Sequence, residues 1–113
     1  MSVGKPVRLA SRSGLSVELA ASGAIRRIDH RDAMVNLFLG TEVEGGPANL
    51  YLRRRERGGV DWVPLLGPRS PGRVRLDESG LEVSGEWSGL RFALSLRLAD
   101  SAPAWFWHVA VEN

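Results

Sequence analysis

The strongest signal along the chain is alternation of apolar and polar positions. In "LRFALSLRLA", residues 90–99, Leu90, Phe92, Leu94, Leu96 and Leu98 fall on one face and Arg91, Ala93, Ser95, Arg97 and Ala99 on the other. A strand sends successive side chains to opposite faces, whereas a helix would scatter those leucines around its circumference. The segment "LEVSGEW" repeats the pattern, with Leu81, Val83 and Trp87 opposed to Glu82, Ser84 and Glu86. Between the two, Ser88-Gly89 is short enough for a tight hairpin turn. "LSVEL" and "RVRLD" predict shorter strands, closed by Ser22-Gly23 and Ser79-Gly80. "AWFWHVAVEN" predicts a last strand with Trp105, Trp107, Val109 and Val111 on one face. So much aromatic surface near a terminus predicts either a central strand or a chain cut from something longer.

Glycine and proline punctuate these runs more than they interrupt them. In "RDAMVNLFLG", residues 31–40, the nearly continuous apolar stretch 35–39 favours a strand buried on both faces over a short helix capped by Asp32. Residues 53–73 carry Gly58-Gly59, Pro64, Pro68 and Pro71 and read as a strand end, a loop, a short edge segment and a second loop. Many short strands separated by turn signals predict an all-β fold, an antiparallel β-sandwich.

Length and composition narrow the picture. A chain of 113 residues is one domain, divided here into an N-terminal arm, 1–13, and the sandwich, 14–113. No cysteine is present, which removes disulfides, thiolate catalysis and Cys-ligated zinc, and fits a cytoplasmic setting. No apolar run reaches the roughly 18 residues of a membrane helix, and the N-terminus has no secretory h-region, so no membrane association is expected. The formal net charge is only +2, although the pI is near 9.9. The cause is the choice of base: fourteen Arg and one Lys, with arginine protonated at any accessible pH. Acids are interspersed among the bases and no nucleic-acid motif is present, so no nucleic-acid partner is expected.

Chemistry is sparse. Glu42 and Glu44, if extended, share a face about 7 Å apart, but a carboxylate pair for acid–base work normally comes from two segments across a cleft. Gly45-Gly46-Pro47 lacks the spacing of a phosphate loop and reads as a bend, with glycine permitting positive φ. His30 and His108 are the only histidines, and "DHRD" has no metal-ligand spacing. Neither a metal nor a cofactor is expected. On a strand Arg53 and Arg55 point opposite to Arg54, so the arginines split between faces. Of the four tryptophans, Trp87, Trp105 and Trp107 sit on patterned strands, leaving Trp62 as the candidate exposed platform.

"NLFLGTEVEGGPANLYLRR", "PLLGPRSP" and "WFWHVAVEN" together resemble the N-terminal β-sandwich of inverting glycoside phosphorylases. This is the group of cellobiose phosphorylase, the β-1,2-oligoglucan phosphorylases and the cyclic β-1,2-glucan synthases. The likeness covers roughly residues 14–113 and implies the first part of a longer sandwich of the galactose-mutarotase-like supersandwich type. It also implies that catalysis belongs to a separate barrel, so no catalytic residue is carried over. Gly45-Gly46 matches a glycine-rich loop that faces the active-site region in relatives, sometimes across a homodimer. The candidate ligand-facing set is Glu44, Gly45, Gly46 and Asn49 at that loop, together with Arg53, Trp62 and Arg69, the residues that a free-standing carbohydrate-binding module would use. The expectation is therefore a non-catalytic segment of a carbohydrate-active phosphorylase-like protein. Its partner would be the rest of a catalytic polypeptide or a glucooligosaccharide, with a homodimer possible. The alternatives are a free-standing carbohydrate-binding module and a structural dimerisation domain.

Overall fold

In the computed structural model, residues 5–36, 39–41, 43 and 45–113 are described. The described chain is all-β, with antiparallel pairing throughout. One four-stranded sheet has the order β1 (Val7–Ala10), β2 (Leu15–Leu19), β3 (Ile25–His30), β4 (Ala33–Met34). A two-stranded hairpin follows, β5 (Tyr51–Glu56) and β6 (Gly59–Pro64). The second four-stranded sheet comprises β7 (Arg73–Asp77), β8 (Gly80–Trp87), β9 (Leu90–Leu98) and β10 (Trp105–Glu112). Its spatial order is β10, β9, β8, β7. Part of the N-terminal arm is thus a strand, aligned along β2 with Leu9 opposite Val17.

The period-two pattern explains which faces meet. Leu15, Val17, Leu19, Ile25 and Ile28 of the first sheet share one core with Leu81, Val83, Phe92, Leu94 and Leu96 of the second. Leu65 and Leu66, in the segment after β6, are buried in the same cluster. Two sheets closing on one apolar interior give the sandwich. The β8–β9 connection is the two-residue turn expected, with Ser88 at φ 52° and Gly89 at φ 80°. Two positive φ values match the right-handed twist of the strands on either side.

Two expectations change. The described residues of the run 35–39 form no strand buried on both faces: β4 ends at Met34, and Met34, Val35 and Leu39 are about half exposed. Asn36 supplies the physical reason. Val35 N donates to the Ile28 carbonyl at 2.8 Å. At the next step the Asn36 Oδ1 accepts from Ile28 N at 2.7 Å, so a side-chain amide takes the place of the ladder and the chain leaves the sheet. Leu37 and Phe38 lie outside the described residues. The last strand, second, is not central. Among the described residues β10 pairs with β9 alone, along its whole length from Trp105 opposite Leu98 to Glu112 opposite Arg91. No helix among the described residues is long and apolar enough to cross a membrane, which does not bear on β-barrels.

Candidate functional site

Five of the residues proposed from sequence, Gly45, Asn49, Arg53, Trp62 and Arg69, lie together at the outward face of the β5–β6 hairpin and the loops beside it. The hairpin register sets Tyr51 opposite Pro64, Arg53 opposite Trp62 and Arg55 opposite Val60. Directly opposed residues share a face. Tyr51, Arg53, Arg55, Val60, Trp62 and Pro64 therefore form one surface. Leu52 and Val63, on the other face, pack against the core. Leu65 N donates to the Leu50 carbonyl at 2.8 Å and ties the hairpin base together.

Tyr51 and Trp62 meet edge to face, with centroids 5.5 Å apart and planes at 68°. Both remain largely exposed, at 61% and 58%. Below them is a cavity of about 250 Å³, with Gly45, Asn49, Leu66, Pro68 and Arg69 among its lining. Gly45, Asn49, Trp62 and Arg69 are thus brought to one cavity, and Arg53 stands on the same hairpin face. Glu42 and Glu44 lie outside the described residues.

Two of these residues have structural tasks. Gly46 adopts φ 83°, and a Cβ there would sit 2.1 Å from the Ile25 carbonyl oxygen. Only glycine permits that approach. Asn49 Nδ2 donates to the Leu66 carbonyl at 3.0 Å, while its Oδ1 accepts from Leu66 N at 3.1 Å and Leu50 N at 2.7 Å. It clips the corner to the segment after the hairpin. Tyr51, Pro64 and Pro68 were not among the site residues proposed from sequence. Reading Arg57-Gly58 as a two-residue turn would have placed Trp62 opposite Arg53 and Tyr51 two pairs further along, on the same face.

Charge is segregated across the hairpin. Arg54, on the packed face, pairs with Glu56 at 2.9 Å and donates to the Ser88 carbonyl, bridging to the β8–β9 turn. Asp61 lies opposite Arg54, on that same face. Among the described residues, Arg53, Arg55 and Arg69 have no ion pair, and no carboxylate lines the cavity.

Elsewhere the chemistry is thin. His30 is on β3 and His108 on β10, in different sheets. Asp29 is held by Arg27 at 2.8 Å, and no group of three or more potential metal ligands occurs among the described residues. A hollow of about 630 Å³ on the outer face of β8, β9 and β10 is larger. Its floor holds the small residues Ser84, Ala93 and Ala110, and Glu86 and Arg91 at its end pair with each other at 3.7 Å. Small side chains in mid-sheet are enough to account for it.

Fold and surface thus define an antiparallel β-sandwich domain carrying an exposed aromatic and arginine-rich hairpin. The chain belongs to the family described as the SOGP N-terminal domain, which it matches over residues 18–113. No curated protein matches it. The family match corrects the assignment drawn from sequence resemblance. It is to the SOGP N-terminal domain, not to a glycoside phosphorylase domain, so the reading as a phosphorylase segment is withdrawn. The carbohydrate-binding, carbohydrate-metabolism and β-glucan assignments that came with it are withdrawn too.

Proposed function

We propose that the domain is a non-catalytic association module that extends its second sheet through β10. The observation that supports this is the character of the sheet edges. β1 is four residues long with Arg8 in it, and β4 has two residues. β7 is five residues long and sends Arg73, Arg75 and Asp77 outward. Short or charged edges resist pairing with other chains. β10 has no such protection: it runs for eight residues without Pro, Lys or Arg. Phe106, Val109 and Val111 are exposed on it. The outward-pointing backbone groups of an eight-residue edge strand, those of every other residue, beside apolar side chains, are a template for one more strand.

The family's description as an N-terminal domain favours a strand from the polypeptide to which the domain belongs. The test compares amide exchange of β10 in the isolated chain and in a longer native polypeptide carrying it. Protection of its outward amides rising by about 100-fold or more supports the reading, and equally fast exchange in both refutes it.

A second reading, pairing with a second copy, is favoured by the strand's own pattern. Antiparallel pairing centred on Val109 would set it against the second copy's Val109, and Trp107 against the second copy's Val111. Sedimentation of the isolated chain tests it: a concentration-dependent dimer lost in Val109→Lys is the supporting result, and a monomer at all concentrations excludes it.

A further inference from the structure

The hairpin surface is separate from β10 and carries a distinct inference. Tryptophan, tyrosine and arginine are the side chains that dominate binding energy at protein interfaces. Here Trp62, Tyr51, Arg53 and Arg55 share one face of a two-stranded element, with Arg69 at the rim of the cavity beside it. The opposite face shows that the hairpin does not need unpaired bases to fold, because Arg54 is neutralised there by Glu56. The outward guanidiniums have no carboxylate partner among the described residues.

We propose that this face docks an extended acidic segment of another protein that carries a large apolar side chain. The acidic residues answer Arg53, Arg55 and Arg69, and the apolar residue enters the cavity between Trp62 and Leu66. The size of the cavity decides the scale of the ligand. At about 250 Å³ it is below the ~300–1,000 Å³ of sites that enclose a free small molecule, and suits one anchoring side chain. Its apolar walls include Pro64, Leu66 and Pro68, so the anchor is aliphatic or aromatic and uncharged. Planar guanidiniums favour carboxylates, which they can grip through two parallel hydrogen bonds. A single-stranded nucleic acid would also meet arginine and aromatic groups. However, bases stack on flat platforms, and the 68° angle between Tyr51 and Trp62 makes a notch instead.

The test is titration of the 113-residue chain, followed by NMR at the backbone amides of β5 and β6, with three probes. They are a seven-residue peptide alternating Glu and Leu around a central Phe, the same peptide with Lys for Glu, and a ten-nucleotide oligothymidylate. The expected result is saturable sub-millimolar binding of the acidic peptide that weakens steeply with salt, and none of the basic one. Joint substitution Arg53→Glu and Arg69→Glu weakens binding by about tenfold or more. Trp62→Ala abolishes it while the unfolding transition is retained. Three results overturn the proposal: no saturation by the acidic peptide at about 1 mM, binding indifferent to the arginine reversals, or tighter binding of the oligothymidylate. Since Arg53 and Arg69 are exposed and have no ion pair among the described residues, their reversal leaves the fold intact. Should Trp62→Ala unfold the chain, the arginine pair decides alone.

Discussion

The glycine corner at residues 45–46 separates a structural requirement from a ligand-approach role, and substitution by alanine reads the difference. Gly46 combines two obstacles to a side chain: φ of 83°, and an Ile25 carbonyl oxygen 2.1 Å from where a Cβ would lie. Gly58 has the first alone, with φ 93° and nothing within 4 Å. Gly45 has no positive φ, and its Cβ would meet only the Asn49 amide nitrogen, at 3.0 Å. Left-handed backbone costs a non-glycine residue about 1–2 kcal/mol, so Gly58→Ala loses about that much. Gly46→Ala adds the cost of pushing a strand carbonyl aside, roughly a further 1–3 kcal/mol by analogy with overpacked cores. Gly45→Ala stays within about 0.5 kcal/mol provided the Asn49 amide shifts by a few tenths of an ångström. Urea unfolding of the three variants, with slopes checked for equality, measures the order Gly46, then Gly58, then Gly45. A Gly46→Ala loss no larger than that of Gly58→Ala would refute the reasoning, because the contact with Ile25 would then cost nothing.

The other predictions concern separate parts of the fold. Leu96 is fully buried between the sheets, so Leu96→Ala lowers the unfolding free energy by about 2–5 kcal/mol in denaturant melts. Asn49→Leu strands the Leu66 and Leu50 amides and costs about 1–3 kcal/mol, and the Trp62 indole resonance shifts as the corner loosens. Arg54→Ala removes the bridge to the Ser88 carbonyl and destabilises by roughly 1 kcal/mol, whereas Arg53→Ala changes stability by less than about 0.5 kcal/mol. The Asp77 carboxylate is held below its ordinary range, first by the Ser79 hydroxyl and then by the Ser79 backbone N–H. A pKa lowered on folding adds stability above the unfolded value, which is lost as pH falls through the folded one. Carboxyl NMR titration gives a midpoint below that of a model aspartate, and Ser79→Ala raises it.

Strands with strict alternation were legible because one face of each is pressed into the core. β2, β8 and β9 follow directly from Leu15 to Leu19, Leu81 to Trp87 and Leu90 to Leu98. β1 was not, since Val7 and Leu9 are only two apolar positions among Arg8 and Ala10. The apolar run 35–39 misled because periodicity cannot register Asn36 replacing a ladder partner. The place of β10 in its sheet was equally hidden: the same pattern suits an edge or a centre, and pairing partners decide. At the candidate site, Trp62 and the split of the arginines were readable from local rules. The cavity was not, because Asn49 and Leu66 are joined by tertiary hydrogen bonds across 17 positions.

The hairpin also shows which of its residues the fold itself demands. An isolated two-stranded ribbon is barely stable in water, so β5 and β6 depend on the face they bury. Leu52 and Val63 on the core, and Arg54 reaching the Ser88 carbonyl, meet that demand. Asn49 and Gly46 meet another, since the corner cannot close against Ile25 and Leu66 without them. The outward positions face no comparable constraint. Threonine, lysine or glutamate would serve a solvent-facing strand as well as Tyr51, Arg53 and Trp62 do. Exposed aromatic rings cost solubility and are not required for this packing, so their presence is better explained by contact with something else. In the proposed docking, recognition falls on the residues the fold leaves free, and the glycine corner is the support beneath them.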